Sequence, residues 1–399
     1  MGFLKLKILP GGLALLLALV ACSPVTAIAP IPTTVVATDT SMPAPATPTP
    51  LPVMPTIAPT ISQLSIANSP AIQSLDMLDL NNGWALNTSN EVLRTTDGGS
   101  TWYNATPTGA SSMPGSSFFL NNEIGWIVLS GADPTSGTLY RTTDGGNTWI
   151  SNAVPFGGGS MQFIDPTAGW VLVGLGAGMS HEAVAVFRTS DGGSTWSQVF
   201  IDDPTATGTT DTLPFAGDKT GLTALDANHA WVTGAEPVSD FIYIYATQDG
   251  GKTWSGQNPD LPPSYVGAMT NAYPPDFFGA NEAVLPVGVY ANTSATILYI
   301  SHNSGQTWAA SQPVPINGHS SLVSPLDFFI WDGGATLYAS HDGGTSWSTV
   351  TTNVNIASDL VSFQFVDPTT GWAVTSDANN HHKLYKSTDG GATWNVLIS

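Results

Sequence analysis

Thr95-Thr96-Asp97-Gly98-Gly99-Ser100-Thr101-Trp102 is the stretch whose reading decides the fold. Six further copies end at Trp149, Trp196, Trp254, Trp308, Trp347 and Trp394. The acidic position of the box is Asp97, Asp144, Asp191, Asp249, Asn303, Asp342 and Asp389, with separations of 47, 47, 58, 54, 39 and 47 residues. Each residue type has a local task. The Asp oxygens accept backbone N–H groups from the turn that follows. The glycines allow positive φ where the chain reverses. The Ser or Thr hydroxyl adds a bond within the turn, and the Trp packs between neighbouring sheets. Asn303 keeps a carbonyl acceptor, so this box serves structure rather than chemistry.

A second element precedes each box. Its clearest form is Phe365-Val366-Asp367-Pro368-Thr369-Thr370-Gly371-Trp372. Related segments run from Asp79 to Trp84, Asn121 to Trp126, Asp165 to Trp170 and Asp226 to Trp231. The sixth copy reads as Asp327 to Trp331, one residue shorter, and the fifth has Val284 in place of Trp. The 13 tryptophans of the chain divide between the two elements. Apolar or alternating runs such as Gly169–Gly174 and Ala183–Phe187 lie between them and read as strands. A unit of about 40–50 residues with four strands is one propeller blade. One blade cannot bury both faces, so the expected fold is all-β, a single seven-bladed β-propeller of four-stranded blades. Trp394–Ser399 is expected to complete the last blade, and Gln63–Ile66 to help close the ring.

The N-terminal part has another composition. Lys5 and Lys7 precede an apolar run, Gly11–Val20, of secretory-signal length. It ends in Leu19-Val20-Ala21-Cys22, which resembles a bacterial lipobox, and Cys22 is the sole cysteine. Residues 1–21 are therefore expected to be a lipoprotein signal peptide, with Cys22 the lipidated residue. Residues 22–62, rich in Pro, Thr and Ala, read as a disordered tether, and residues 63–399 as the propeller. The expected location is extracytoplasmic, membrane-anchored at the cell envelope.

The chain holds 29 acidic against 9 basic residues, a net charge of −20. Nucleic-acid binding, which needs Lys and Arg to neutralise phosphates, is not expected. Nor is docking on an anionic membrane surface.

The box matches the Asp-box, or bacterial neuraminidase repeat. Its pairing with the F-x-D-x-x-x-G-W element resembles the photosystem II assembly and stability factor family over about residues 70–399. That resemblance implies a seven-bladed scaffold that helps assemble a photosystem through a basic surface patch. This chain has three arginines, Arg94, Arg141 and Arg188, each three residues before a box Asp. They form a row beside the boxes, which reads as stacking or turn stabilisation.

The Asp-box also occurs in sialidases, whose activity needs three arginines converging on a carboxylate, and these three are spoken for by repeat position. Other glycosidases need two carboxylates. Here they would come from the face opposite the boxes, where Asp202–Thr220 and Ser255–Phe278 are the largest insertions. The candidate binding residues there are Asp202, Asp203, Asp211, Asp218, Tyr265, Tyr273 and Phe277. No catalytic residue, metal or cofactor is assigned; His381-His382 with Asp377 is the nearest approach to a metal set. The resulting expectation is a monomeric, non-catalytic binding or assembly scaffold that engages an envelope protein or a glycan through its loop face. The alternative is a glycoside hydrolase using loop carboxylates. A deep cleft with two facing carboxylates, one shifted in pKa, distinguishes the enzyme.

Overall fold

The computed structural model describes residues 64–110, 114–131, 135–205 and 212–398. The signal peptide, Cys22, the tether and Asp211 lie outside them. The described chain forms seven antiparallel sheets. Blade one comprises Ile72–Met77, Gly83–Asn87, Val92–Thr95 and Tyr103–Asn104, from the channel outward. Blade seven comprises Leu360–Phe365, Gly371–Ser376, His382–Ser387 and Asn395–Ile398. Each blade has a core of consecutive strands, joined in blade one by a further strand from upstream, so the architecture is the expected seven-bladed propeller.

Apolar side chains collect between blades rather than inside them. One cluster joins Ile72, Met77, Leu93 and Trp102 of blade one to Trp372, Val374 and Leu384 of blade seven. This follows from sheet geometry. Successive side chains point to opposite faces of a strand, and both faces of a blade meet a neighbour.

Ser65–Ile66 pairs with Tyr103–Asn104 and adds a fifth strand on the outer edge of blade one. It does not join blade seven, so it does not bridge the two chain ends of the ring. Closure comes from side chains. The indole Nε1 of Trp372 donates to the Gly98 carbonyl at 3.0 Å, His382 Nδ1 lies 2.9 Å from the Ile72 carbonyl, and Gln364 binds the backbone of Met77. The innermost strand of a blade has an open edge, and in blades one, four and seven a side chain of the preceding blade accepts from its N–H groups. Gln162 Oε1 takes the Ala224 N–H at 2.6 Å, and Ser321 Oγ takes the Phe365 N–H at 2.8 Å.

Two sequence expectations change. In blade six the strand register sets Phe329, not Trp331, opposite Ala339, the residue before the box Ser340. Phe329 therefore holds the repeat position, and Ser324 replaces the turn Asp by accepting the Leu326 and Asp327 N–H groups at 3.1 and 3.0 Å. The insertion Ser255–Phe278 is partly sheet. Met269–Ala272 and Asp276–Phe278 both pair with Glu282–Tyr290 as the innermost strand of blade five, interrupted at Tyr273-Pro274-Pro275. Proline has no N–H for a ladder and fixes φ, so two in succession break the strand.

Candidate functional site

The boxes are turn staples. Asp97 Oδ1 accepts the Thr101 N–H at 2.8 Å and the Thr95 hydroxyl at 2.9 Å, while Thr95 Oγ1 accepts the Gly99 N–H at 2.9 Å. Burial works to raise the Asp97 carboxyl, but these bonds outweigh it and hold the group below the usual carboxylate range. Asn303 makes the same contacts through Oδ1, and its Nδ2 donates to Thr307 Oγ1 at 2.9 Å. The hydroxyl two residues before the acid was missed in the sequence. Its signal is the unbroken Thr or Ser at positions 95, 142, 189, 247, 301, 340 and 387.

The three arginines belong to the seams between blades. Arg94, Arg141 and Arg188 stand directly across the strand pair from Trp84, Trp126 and Trp170. Each guanidinium carbon lies 5.9, 5.6 and 4.4 Å, respectively, from the ring centroid of its Trp. Each also reaches a carbonyl of the next blade: Gly145 at 3.5 Å, Pro166 at 3.0 Å and Gly250 at 3.2 Å. Lys386 does the same over Trp372 at 4.7 Å, reaching Gly98 at 3.4 Å. Stacking accounts for the row.

The face opposite the boxes carries the variable loops. Residues 212–219 of the Asp202–Thr220 insertion dock on blade three, with Gly217 N–H donating to the Ser180 carbonyl and Glu182 N–H to the Phe215 carbonyl. Lys219 Nζ donates to the carbonyls of Pro214 at 2.7 Å, Gly217 at 2.9 Å and Glu182 at 3.1 Å. Burial pulls this ammonium down to about 8, against the opposing field of Glu182, Asp202 and Asp218. Asp202 is buried at the end of the outermost strand of blade three. Asp203 is tied to Thr205 by two bonds, at 2.8 and 2.7 Å. Asp218 starts the innermost strand of blade four, exposed.

A cleft of about 770 Å³ opens at the channel mouth between blades five, six and seven. The broken strand of blade five contributes Tyr273, Pro274 and Asp276; blade six adds Asn317, Gly318, His319, Ser320 and Asp332; blade seven adds Ala357, Ser362 and Phe363. Tyr273 is 42% exposed and accepts a bond from Asn271 Nδ2 at 3.1 Å. Asp276 is exposed at the cleft yet ringed by protein, and this desolvation pushes its carboxyl up to about 6. Burial lowers the His319 imidazole. Asp332 is partly engaged, accepting the Gly334 N–H at 2.9 Å.

Of the candidates among the described residues, Tyr273 alone lines this cleft. Tyr265, in the short turn Pro263–Tyr265, packs against the core around Leu285 and Val287, and Phe277 lies 4.5 Å from the Trp231 ring. His319, Asn317 and Asp332 had no signal in the sequence, being single residues from loops that meet only in space. The two neighbouring histidines part company. His381 bonds Asp377 at 3.0 Å, while His382 turns to Ile72. Among the described residues no group of three His, Cys, Asp or Glu side chains is placed to hold a metal.

Residues 58–213 match the family described as Photosynthesis system II assembly factor YCF48. The fold is similar to a solved structure of YCF48 bound to D1 peptide, at 18% identity, covering 82% of this chain and 93% of that one, with a TM-score of 0.51. It is also similar to the GH74 xyloglucanase from Xanthomonas campestris, at 12% identity and a TM-score of 0.56. That match covers 84% of this chain and 55% of the xyloglucanase, so this chain spans about half its length. At these identities the structural likeness is one of fold. No curated protein matches the sequence.

Proposed function

We propose that this photosystem II assembly factor-like Asp-box propeller is a non-catalytic binding scaffold whose channel-mouth cleft grips an extended segment of a partner protein. The observation that carries the reading is the break in the innermost strand of blade five. It places an exposed Tyr273 beside the polar groups of Asn317, Ser320 and Asp332. An aromatic face flanked by hydrogen-bonding groups suits a peptide. The family match over residues 58–213 and the likeness to a YCF48 seen with a D1 peptide support it. In this reading Cys22 carries the lipid that anchors the propeller outside the cytoplasmic membrane, with the tether as spacer.

The test places a photo-cross-linking residue at Ser320 in the full-length, lipid-anchored protein in its native envelope. One defined protein adduct, lost when Tyr273→Ala is added, is the expected result. No adduct above background removes the reading. A second reading has one observation in its favour: Asp276, raised to about 6, shares the cleft with Asp332, as a general acid and its partner would. Hydrolysis of a polysaccharide that disappears in Asp276→Asn would establish that reading instead.

A further inference from the structure

The channel-mouth cleft carries one sign of charge. Asp276 and Asp332 line it, and no Lys or Arg does. Burial holds His319 below the usual imidazole range, so this third group is uncharged near pH 7. The cations of the chain are engaged elsewhere: Arg94, Arg141, Arg188 and Lys386 lie over tryptophans at the seams, and Lys219 sits among the carbonyls of its loop.

Asp276 is the group left without a donor. Its side chain is exposed to the cleft. Desolvation is the one influence on its carboxyl, with no hydrogen bond or charge from the described residues to oppose it. Other carboxylates are provided for: Asp97 by Thr95 and Thr101, Asp203 by Thr205, and Asp332 by the Gly334 N–H. A carboxylate ringed by protein and unpaired is costly to ionise, and a cation brought beside it offsets that cost. The register also gives depth. Asp276 pairs with Val284, whose repeat position in blade six is Phe329, and Asp332 follows Phe329 by three residues toward the mouth. At about 3.3 Å per residue, Asp276 lies about 10 Å deeper than Asp332. Tyr273 and Phe363 add aromatic wall, against which an aliphatic stem packs and a cation is attracted.

We propose that the partner segment held in this cleft presents a basic side chain, its charged head paired with Asp276 at depth and its stem along Tyr273, with Asp332 adding attraction nearer the rim. The inference rests on the peptide reading above and supplies the chemistry that selects the segment. A net charge of −20 draws such a segment from a distance.

The probe is the tripeptide N-acetyl-Gly-Arg-Gly amide, titrated into the full chain while the backbone amides of Gly288 and Asn317 are followed by NMR. The citrulline tripeptide, neutral and of the same shape, is the control. Saturable shifts are expected with the arginine peptide, and binding at least about tenfold weaker with citrulline. Asp276→Asn keeps the shape and should erase that preference. Asp332→Asn should weaken binding by no more than about fivefold, as for a rim charge. Equal binding of the two tripeptides, or a preference that survives Asp276→Asn, overturns the inference. The Ser320 cross-link separates this from the peptide reading. An adduct whose partner segment holds no Lys or Arg near the attachment point leaves that reading standing and removes the basic side chain. No adduct removes the peptide reading, while arginine-selective binding lost in Asp276→Asn would still make the cleft a cation receptor.

Discussion

The side-chain amide of Gln364 spans the open edge of the first blade, with Oε1 accepting the Met77 N–H at 2.7 Å and Nε2 donating to the Met77 carbonyl at 2.9 Å. These residues are 287 positions apart. The bond pair does for the ring what a shared strand would do by backbone ladder.

Removing this amide should therefore loosen the ring at its seam. Gln364→Ala leaves a backbone donor and acceptor unpaired, at a cost of about 1–3 kcal/mol. Gln162→Ala removes one bond of the same kind, to the Ala224 N–H, and should cost about half as much. Urea denaturation of both variants checks this. An equal loss in the two would mean that Trp372 packing alone closes the ring.

Two box glycines with the same backbone should differ in tolerance. Gly98 and Gly390 both have φ +72°. A Cβ on Gly98 would meet the Leu80 carbonyl at 2.7 Å, whereas on Gly390 the nearest atom is the Pro368 carbonyl at 3.4 Å. Gly390→Ala should cost about 1 kcal/mol for the left-handed conformation. Gly98→Ala should cost about 2 kcal/mol or more, because backbone must move. Thermal unfolding that ranks them the other way would show that the Leu80 turn yields freely.

Acid stability should carry the mark of Asp76 and Asp276. Both occupy the position of the innermost strand that lies across from the Trp site in their blades. Desolvation by the surrounding protein pushes both up to about 6, opposed at Asp76 by a Gln364 hydrogen bond. The folded state then holds more protons than the unfolded state between about pH 4 and 6, so these groups make stability fall as pH rises through that window. Asp76→Asn should raise the melting temperature at pH 7 and flatten this fall. A variant with an unchanged pH profile would show that Asp76 stays ionised throughout.

Lys219 gives a second window, at alkaline pH. Its folded pKa, about 8, lies below the ordinary lysine value of 10.5, so the unfolded state binds more protons between those values. Stability from this group should rise with pH over about 8 to 10.5. Lys219→Met should remove that rise and, by leaving the carbonyls of Pro214 and Gly217 without their donor, speed protease cleavage at residues 212–217. Cleavage no faster than in the parent would mean that the Gly217–Ser180 and Glu182–Phe215 backbone bonds hold the loop unaided.

The blade count, the box turns and the seat of every arginine were legible in the sequence, because each rests on contacts within a few residues or on a period repeated seven times. Asp97 reaches Thr101, and Trp84 faces Arg94, by local geometry that strand pairing imposes. Tertiary structure decided the rest. Phe277 reads as a loop aromatic until the register of Asp276–Phe278 against Glu282–Tyr290 sets it beside Trp231. Gln364 and Met77, or Tyr273 and His319, have no relation along the chain and meet only when seven blades are arranged around one channel. The loss of the cation at Ala246, across from Trp231, lies between these cases. Its position was fixed by the repeat, but the cleft beside it exists only because two separately folded blades leave it open.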